Sequence, residues 1–188
     1  STTLLREDGP CTIEQSTLLS GRLHNAGQMR VTGGGSVVLL PAGIMYQDAV
    51  AGFRYMGGET LLVETMGATV PAFSKEVVYP HPVTGIGTLA PLFKSQALTL
   101  TWMPTLSDVL VQVSQGAPMS LQIKCTFQGA SGSGSIPASA FAELLTSEPG
   151  AMLIATQAKE VAVTGEYTVS IDAYFAAEES RNNIEIRE

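Results

Sequence analysis

The sequence predicts an all-β fold, an antiparallel β-sandwich of Ig-like or jelly-roll-like kind, and three observations carry that expectation. Apolar and polar residues alternate in one stretch after another, as where Leu98, Leu100 and Trp102 are interleaved with Thr99 and Thr101; a period of two puts one set of side chains on each face of a strand. Turn signals recur about every ten residues and divide the chain into about eleven short strands. Only residues 137–146 have helical spacing, so no crossover helices are available to join parallel strands.

The elements follow in order. Residues 1–27 show no strong period, although Cys11 and Ile13 are placed to open an edge strand. Three glycines at 33–35 lead into Ser36-Val-Val-Leu-Leu40, a continuous apolar run that suits a strand buried on both faces. After the Gly57-Gly58 turn comes Thr60-Leu-Leu-Val-Glu-Thr65; Phe73, Val77 and Tyr79 then alternate with Ser74, Glu76 and Val78, giving a β-meander. Pro80-His-Pro82 and the Gly/Pro-rich residues after it form a linker or long crossover, because a proline on each side of His81 forbids a central strand. The paired strands around Trp102 follow, then Leu121, Ile123, Cys125 and Phe127 on one face of another strand. Residues 129–135 read as a flexible Gly/Ser loop, and Pro137 opens the short helix, with Phe141, Leu144 and Leu145 on one side. Residues 152–156 and 160–163 are two further strands. Tyr167, Val169, Ile171, Ala173 and Phe175 alternate cleanly with Thr168, Ser170, Asp172 and Tyr174, and Ile184 and Ile186 add a short edge.

The chain has 188 residues, enough to bury a sizeable core as one unit over 1–188. If it forms two lobes, the boundary falls at the proline-rich segment, giving an N-terminal β lobe over 12–90 and an Ig-like lobe over 91–188. Hydrophobic residues make up 45% and charged residues 14%, yet 19 glycines and 10 prolines interrupt every apolar run, so no membrane span is expected. The net charge is −7. Phosphate backbones and anionic membrane surfaces are bound by Lys/Arg clusters; none is present, and nucleic acid is excluded as a partner.

Cys11 and Cys125 are the two cysteines, too far apart for a metal knuckle. Richness in Thr, Ser and Gly with only four lysines suggests an exported, extracytoplasmic bacterial protein, where a disulfide between them would persist. Two buried thiols are the alternative. No charged, apolar leader opens the chain at Ser1, so any export signal is expected to have been removed. An antibody-type domain is not supported, because Trp102 is far from Cys11 in sequence.

The order Leu98-Thr-Leu-Thr-Trp102, Cys125-Thr-Phe127 and Gly134-Ser-Ile-Pro-Ala138, with Gly58-Glu-Thr60 and Val70-Pro-Ala-Phe73 upstream, resembles exported lipoproteins of myxobacteria and related predatory or soil bacteria. The resemblance spans roughly residues 57–175 and its motifs are common β-protein words. It implies an extracytoplasmic Ig-like or jelly-roll-like module, tethered through an acylated cysteine upstream of Ser1; no lipid-acceptor cysteine is visible at the start of this chain. No assigned activity comes with it.

Catalytic chemistry finds little support. In Gly129-Ala-Ser131-Gly-Ser133 the last glycine of a nucleophile elbow is missing, and a phosphate cradle would need a lysine that this loop lacks. Asp108 and Asp172 are the carboxylates to inspect for paired-carboxylate hydrolysis, with turn and solvent-face roles favoured for both. His24, His81 and the cysteines have no ligand spacing, and Asp8, Asp48, Asp108 and Asp172 are too scattered for a calcium loop; no cofactor is expected beyond a single structural calcium ion. The leading expectation is a non-catalytic adhesive, scaffold or envelope-assembly module acting through protein partners or self-assembly. A carbohydrate-binding module is the alternative, stacking sugars on Tyr46, Tyr55, Tyr79 and Tyr174, with Tyr174 the best exposed ring and Trp102 reserved for the core.

Overall fold

The computed structural model describes residues 2–17, 24–42, 45–48, 55–87, 91–116 and 119–188. Its strands are β1 (Thr2–Asp8), β2 (Cys11–Thr17), β3 (Met29–Thr32), β4 (Ser36–Ala42), β5 (Met45–Asp48), β6 (Thr60–Thr65), β7 (Ser74–Val78), β8 (Leu92–Phe93), β9 (Leu98–Thr101), β10 (Asp108–Gln115), β11 (Met119–Phe127), β12 (Ser133–Ile136), β13 (Gly150–Thr164), β14 (Tyr167–Ala176), β15 (Arg181–Ile184) and β16 (Ile186–Arg187). The protein is all-β with antiparallel sheets; the two-residue β8/β16 pairing alone is parallel among the registers described. No helix among the described residues is long and apolar enough to cross a membrane.

The strands gather into two compact units, Ser1–Gly21 with Pro82–Thr156 and Phe175–Glu188, and Arg22–His81 with Gln157–Tyr174. One passage between them falls between residues 81 and 82, inside the proline-rich segment. Two more run along β13 and β14, each of which begins in one unit and ends in the other. Residues 157–174 therefore belong with 22–81, an arrangement that no single cut near residue 90 describes.

The first unit is built on the sheet β1-β2-β11-β10-β13-β14, with β15 added to β13. Its core holds Ile13, Val109, Val111, Val113, Ile123, Phe141, Leu144, Met152 and Ile154, all at most 3% exposed. Cys11 and Cys125 face each other across the β2/β11 ladder and form a disulfide within this core. The cysteine strand β2 is therefore interior, between β1 and β11, and not an edge. Trp102 is 5% exposed, packs on Phe127 and donates its indole N–H to the Gly129 carbonyl at 2.8 Å.

Four expectations are corrected. The strands on either side of Trp102 do not pair with each other: β9 pairs with β12, and β10 with β11, because residues 102–107 leave β9 through Pro104 and bond elsewhere, Met103 N–H to the Thr84 carbonyl. The Gly/Ser segment is not a flexible loop. It forms a 3-10 turn and β12, and a Cβ on Gly129 would lie 2.0 Å from the Ser107 carbonyl oxygen, so the turn needs a glycine there. The helix expected over 137–146 is a single 3-10 turn, Ala138–Phe141. The N–H groups of Ala140, Ala142 and Leu144 each reach back three residues, and the Leu145 N–H is taken by the Gln115 side chain at 2.6 Å, which ends the spiral. The two strands expected over 152–156 and 160–163 are one continuous strand, β13.

In the second unit, β5-β4-β3-β6-β7 form an antiparallel sheet, with the meander β6/β7 in register from Thr60↔Val78 to Glu64↔Ser74. The side-chain burial expected for residues 36–40 lies outside the described residues, apart from Leu39, which is half-buried.

Two stability predictions follow from the first core. The double variant Cys11→Ala/Cys125→Ala should lose about 3–5 kcal/mol in urea unfolding, because the bond closes a very long loop of the unfolded chain. Gln115→Leu strands the Leu145 N–H and the carbonyls of Leu145 and Glu148 that the amide bonds, and should cost about 2–4 kcal/mol by the same measurement.

Candidate functional site: an apolar groove beside a strand edge

The alternation along β6 turns Leu61 and Val63 to the inner face of the five-stranded sheet, where Met29, Val31 and Val77 join them. Facing that sheet are Val169, Ile171 and Ala173, the inward set of β14. Between the two faces lies a groove of about 260 Å³, lined also by Phe73 and Tyr79. Only Leu61, Val63 and Val77 of this cluster are fully buried; Met29, Val31, Phe73, Ile171 and Ala173 are half-buried around them. The side chains point inward, but the interior they point into is not filled. Water inside finds carbon on most sides and few hydrogen-bond partners, so apolar atoms would displace it favourably.

The two long sides of the groove differ. Along β13, the Lys75 ammonium and the Glu160 carboxylate meet at 3.1 Å, and the Thr164 hydroxyl donates to the Ala72 carbonyl at 3.2 Å, tying hairpin to sheet. Along β14, the described ties sit at the two ends. His24 packs edge-on against Tyr167, with centroids 5.4 Å apart, and the Tyr79 hydroxyl donates to the Tyr174 carbonyl at 3.0 Å. Among the described residues β14 pairs with β13 alone, and its residues 169–173 line the groove.

The Tyr79 end is held by a turn. Tyr55 and Tyr79 pack with centroids 4.9 Å apart, and the Glu59 carboxylate accepts the N–H groups of Met56 and Gly57, each at 2.8 Å. The Met56 bond is the largest cause holding the Glu59 carboxyl below its ordinary value of 4.5, with nearby His81 adding a smaller pull. Gly58 has φ +88°, and a Cβ there would come within 2.7 Å of the His81 ring, so this turn requires glycine twice over. Burial raises the Tyr79 hydroxyl above its ordinary 10.0, which keeps it protonated and donating.

Of the four tyrosines singled out in the sequence, Tyr55 and Tyr79 come together, but their rings are tilted by 47° and belong to the apolar cluster. Tyr174 is 44% exposed on the outward face of β14. Tyr46 lies in β5, and its side chain lies outside the described residues. Asp108 and Asp172 are both exposed, and Asp172 accepts a hydrogen bond from the Ser170 hydroxyl at 2.8 Å. The Ser131 hydroxyl lies within hydrogen-bond distance of the Gln128 and Ser133 carbonyls and serves its own turn. Among the described residues no three of His, Cys, Asp and Glu gather as a ligand set for a metal ion. Of the groove lining only Tyr79, as a sugar-stacking ring, and Asp172, as a carboxylate to inspect, were singled out from the sequence; of the rest, the strands read over residues 60–65, 73–79 and 167–175 were the only visible signal.

The Glu59 turn gives a pH prediction. A carboxylate held below its unfolded value stabilises the fold above about pH 4.5 and loses that contribution as pH falls through the lowered value. Thermal melts of the wild type and Glu59→Gln should differ most near neutrality and converge in acid; a constant difference down to the acid limit would contradict the assignment. No family model matches this chain, and no curated protein matches it.

Proposed function

We propose that this protein is a non-catalytic, extracytoplasmic binding module that recruits a protein partner by strand addition along β14. The observation that carries the reading is the coincidence of a strand that pairs on one side only among the described residues with an incompletely filled groove that it lines. Strand addition uses both: the edge offers backbone N–H and C=O groups to an incoming chain, and the groove takes alternate side chains. The disulfide in the first core supports an oxidising compartment, as does the likeness of the motif order to exported lipoproteins. A glycan reading rests on the exposed ring of Tyr174; sugar stacking is strongest with a second ring in the same plane, and the Tyr55 and Tyr79 rings are tilted.

The test is selection from a random heptapeptide library on the wild type and on Ala173→Phe, whose ring fills the groove while leaving the outward face unchanged. Enrichment of peptides with alternating apolar residues on the wild type, lost on a folded Ala173→Phe, is the expected result. Equal enrichment on both proteins, or none on the wild type, would sink the reading; glycan-array binding lost on Tyr174→Ala would replace it.

A further inference from the structure

We infer that the partner segment is an extended strand that is apolar at alternate positions and basic at the position opposite Asp172. This rests on the strand-addition reading and adds to it the chemistry of the partner.

Along β14, Val169, Ile171 and Ala173 are the half-buried set that lines the groove, whereas Ser170, Asp172 and Tyr174 are the exposed set, Ser170 and Asp172 bordering the groove as well. A strand laid antiparallel against this edge has the same period, so the residues opposite Val169, Ile171 and Ala173 drop into the groove, and those opposite Ser170 and Asp172 stand beside them on the outer face. The groove-facing positions must be apolar, because the lining there is aliphatic and aromatic and offers a polar group little to bond.

The outward position is decided by charge. Asp172 is the only charged residue among the described lining residues, it is exposed, and its sole described partner is the neutral Ser170 hydroxyl. The Lys75 ammonium on the far side of the groove is committed to Glu160. Directly opposed unlike charges favour an antiparallel pair and like charges disfavour it, so lysine or arginine fits opposite Asp172 and an acid does not. The same reasoning selects against a second copy of this chain: with a net charge of −7, two copies repel on approach.

The experiment uses two acetylated and amidated heptapeptides, TVKVTVT and TVEVTVT, titrated into the full chain and followed by the amide chemical shifts of β14. The order places lysine or glutamate opposite Asp172 when the valines face the groove. TVKVTVT should bind the wild type about fivefold or more tightly than TVEVTVT, the preference should reverse on the surface variant Asp172→Lys, and added salt should shrink it. Equal binding of both peptides at β14, unaltered by Asp172→Lys, overturns the charge inference and leaves strand addition standing. Binding of neither peptide overturns both. Concentration-dependent dimerisation of the free protein that Ala173→Phe abolishes overturns the choice of partner in favour of a second copy.

Discussion

β13 and β14 supply side chains to both apolar interiors; β14 alternates without a break, and β13 alternates on either side of the buried run Ile154, Ala155 and Thr156. Met152 and Ile154, near the start of β13, enter the core that contains the disulfide. Ala158, Ile171 and Ala173, farther along the same two strands, enter the cluster with Leu61, Val63 and Val77. A one-residue slip anywhere along β13 would turn every later side chain to the opposite face. The two-residue turn at Gly165-Glu166, where Gly165 has φ +58°, helps to fix that register from the far end.

The two interiors are finished differently. In the first, aromatic and branched side chains close on each other, Phe141, Leu144 and Ile136 reach full burial, and a covalent bond joins neighbouring strands. Polar groups there are used to shape the chain, as when Gln115 holds the 145–148 turn through three hydrogen bonds. In the second, the cluster beside the groove has Leu61, Val63 and Val77 buried, and a ring of half-buried residues surrounds the space between sheet and hairpin. Close packing is the rule for protein interiors, so a well-formed unit that leaves aliphatic walls apart has given up stability locally. A binding role gives that loss a purpose, because the same surface area becomes available to a partner.

How much of this was legible in the sequence depends on the range of the interaction. Alternation is local, and the strands over 60–65, 108–115, 121–127 and 167–175 were readable from it, as was the face on which Cys125 sits. The burial of Trp102 followed from its apolar strand neighbours. Helical spacing at Phe141, Leu144 and Leu145 misled, because it takes no account of Gln115, thirty residues away, intercepting the backbone at Leu145. The hairpin of β1 and β2 was missed because a bulge between Leu4 and Arg6 breaks the alternation that would have shown it. The groove was not visible at all: its walls come from β3, β6, β7 and β14, and whether apolar faces close or stand apart is set by tertiary packing.

Strand addition requires that the outer edge of β14 be open to solvent in the free protein, and amide hydrogen exchange reads that directly. In an edge strand alternate N–H groups point away from the neighbouring strand, so exchange along residues 168–173 should alternate between slow, for amides bonded to β13, and nearly unprotected, for those facing outward. Uniformly slow exchange across these six residues would mean that the edge is already covered, and the binding account would fail.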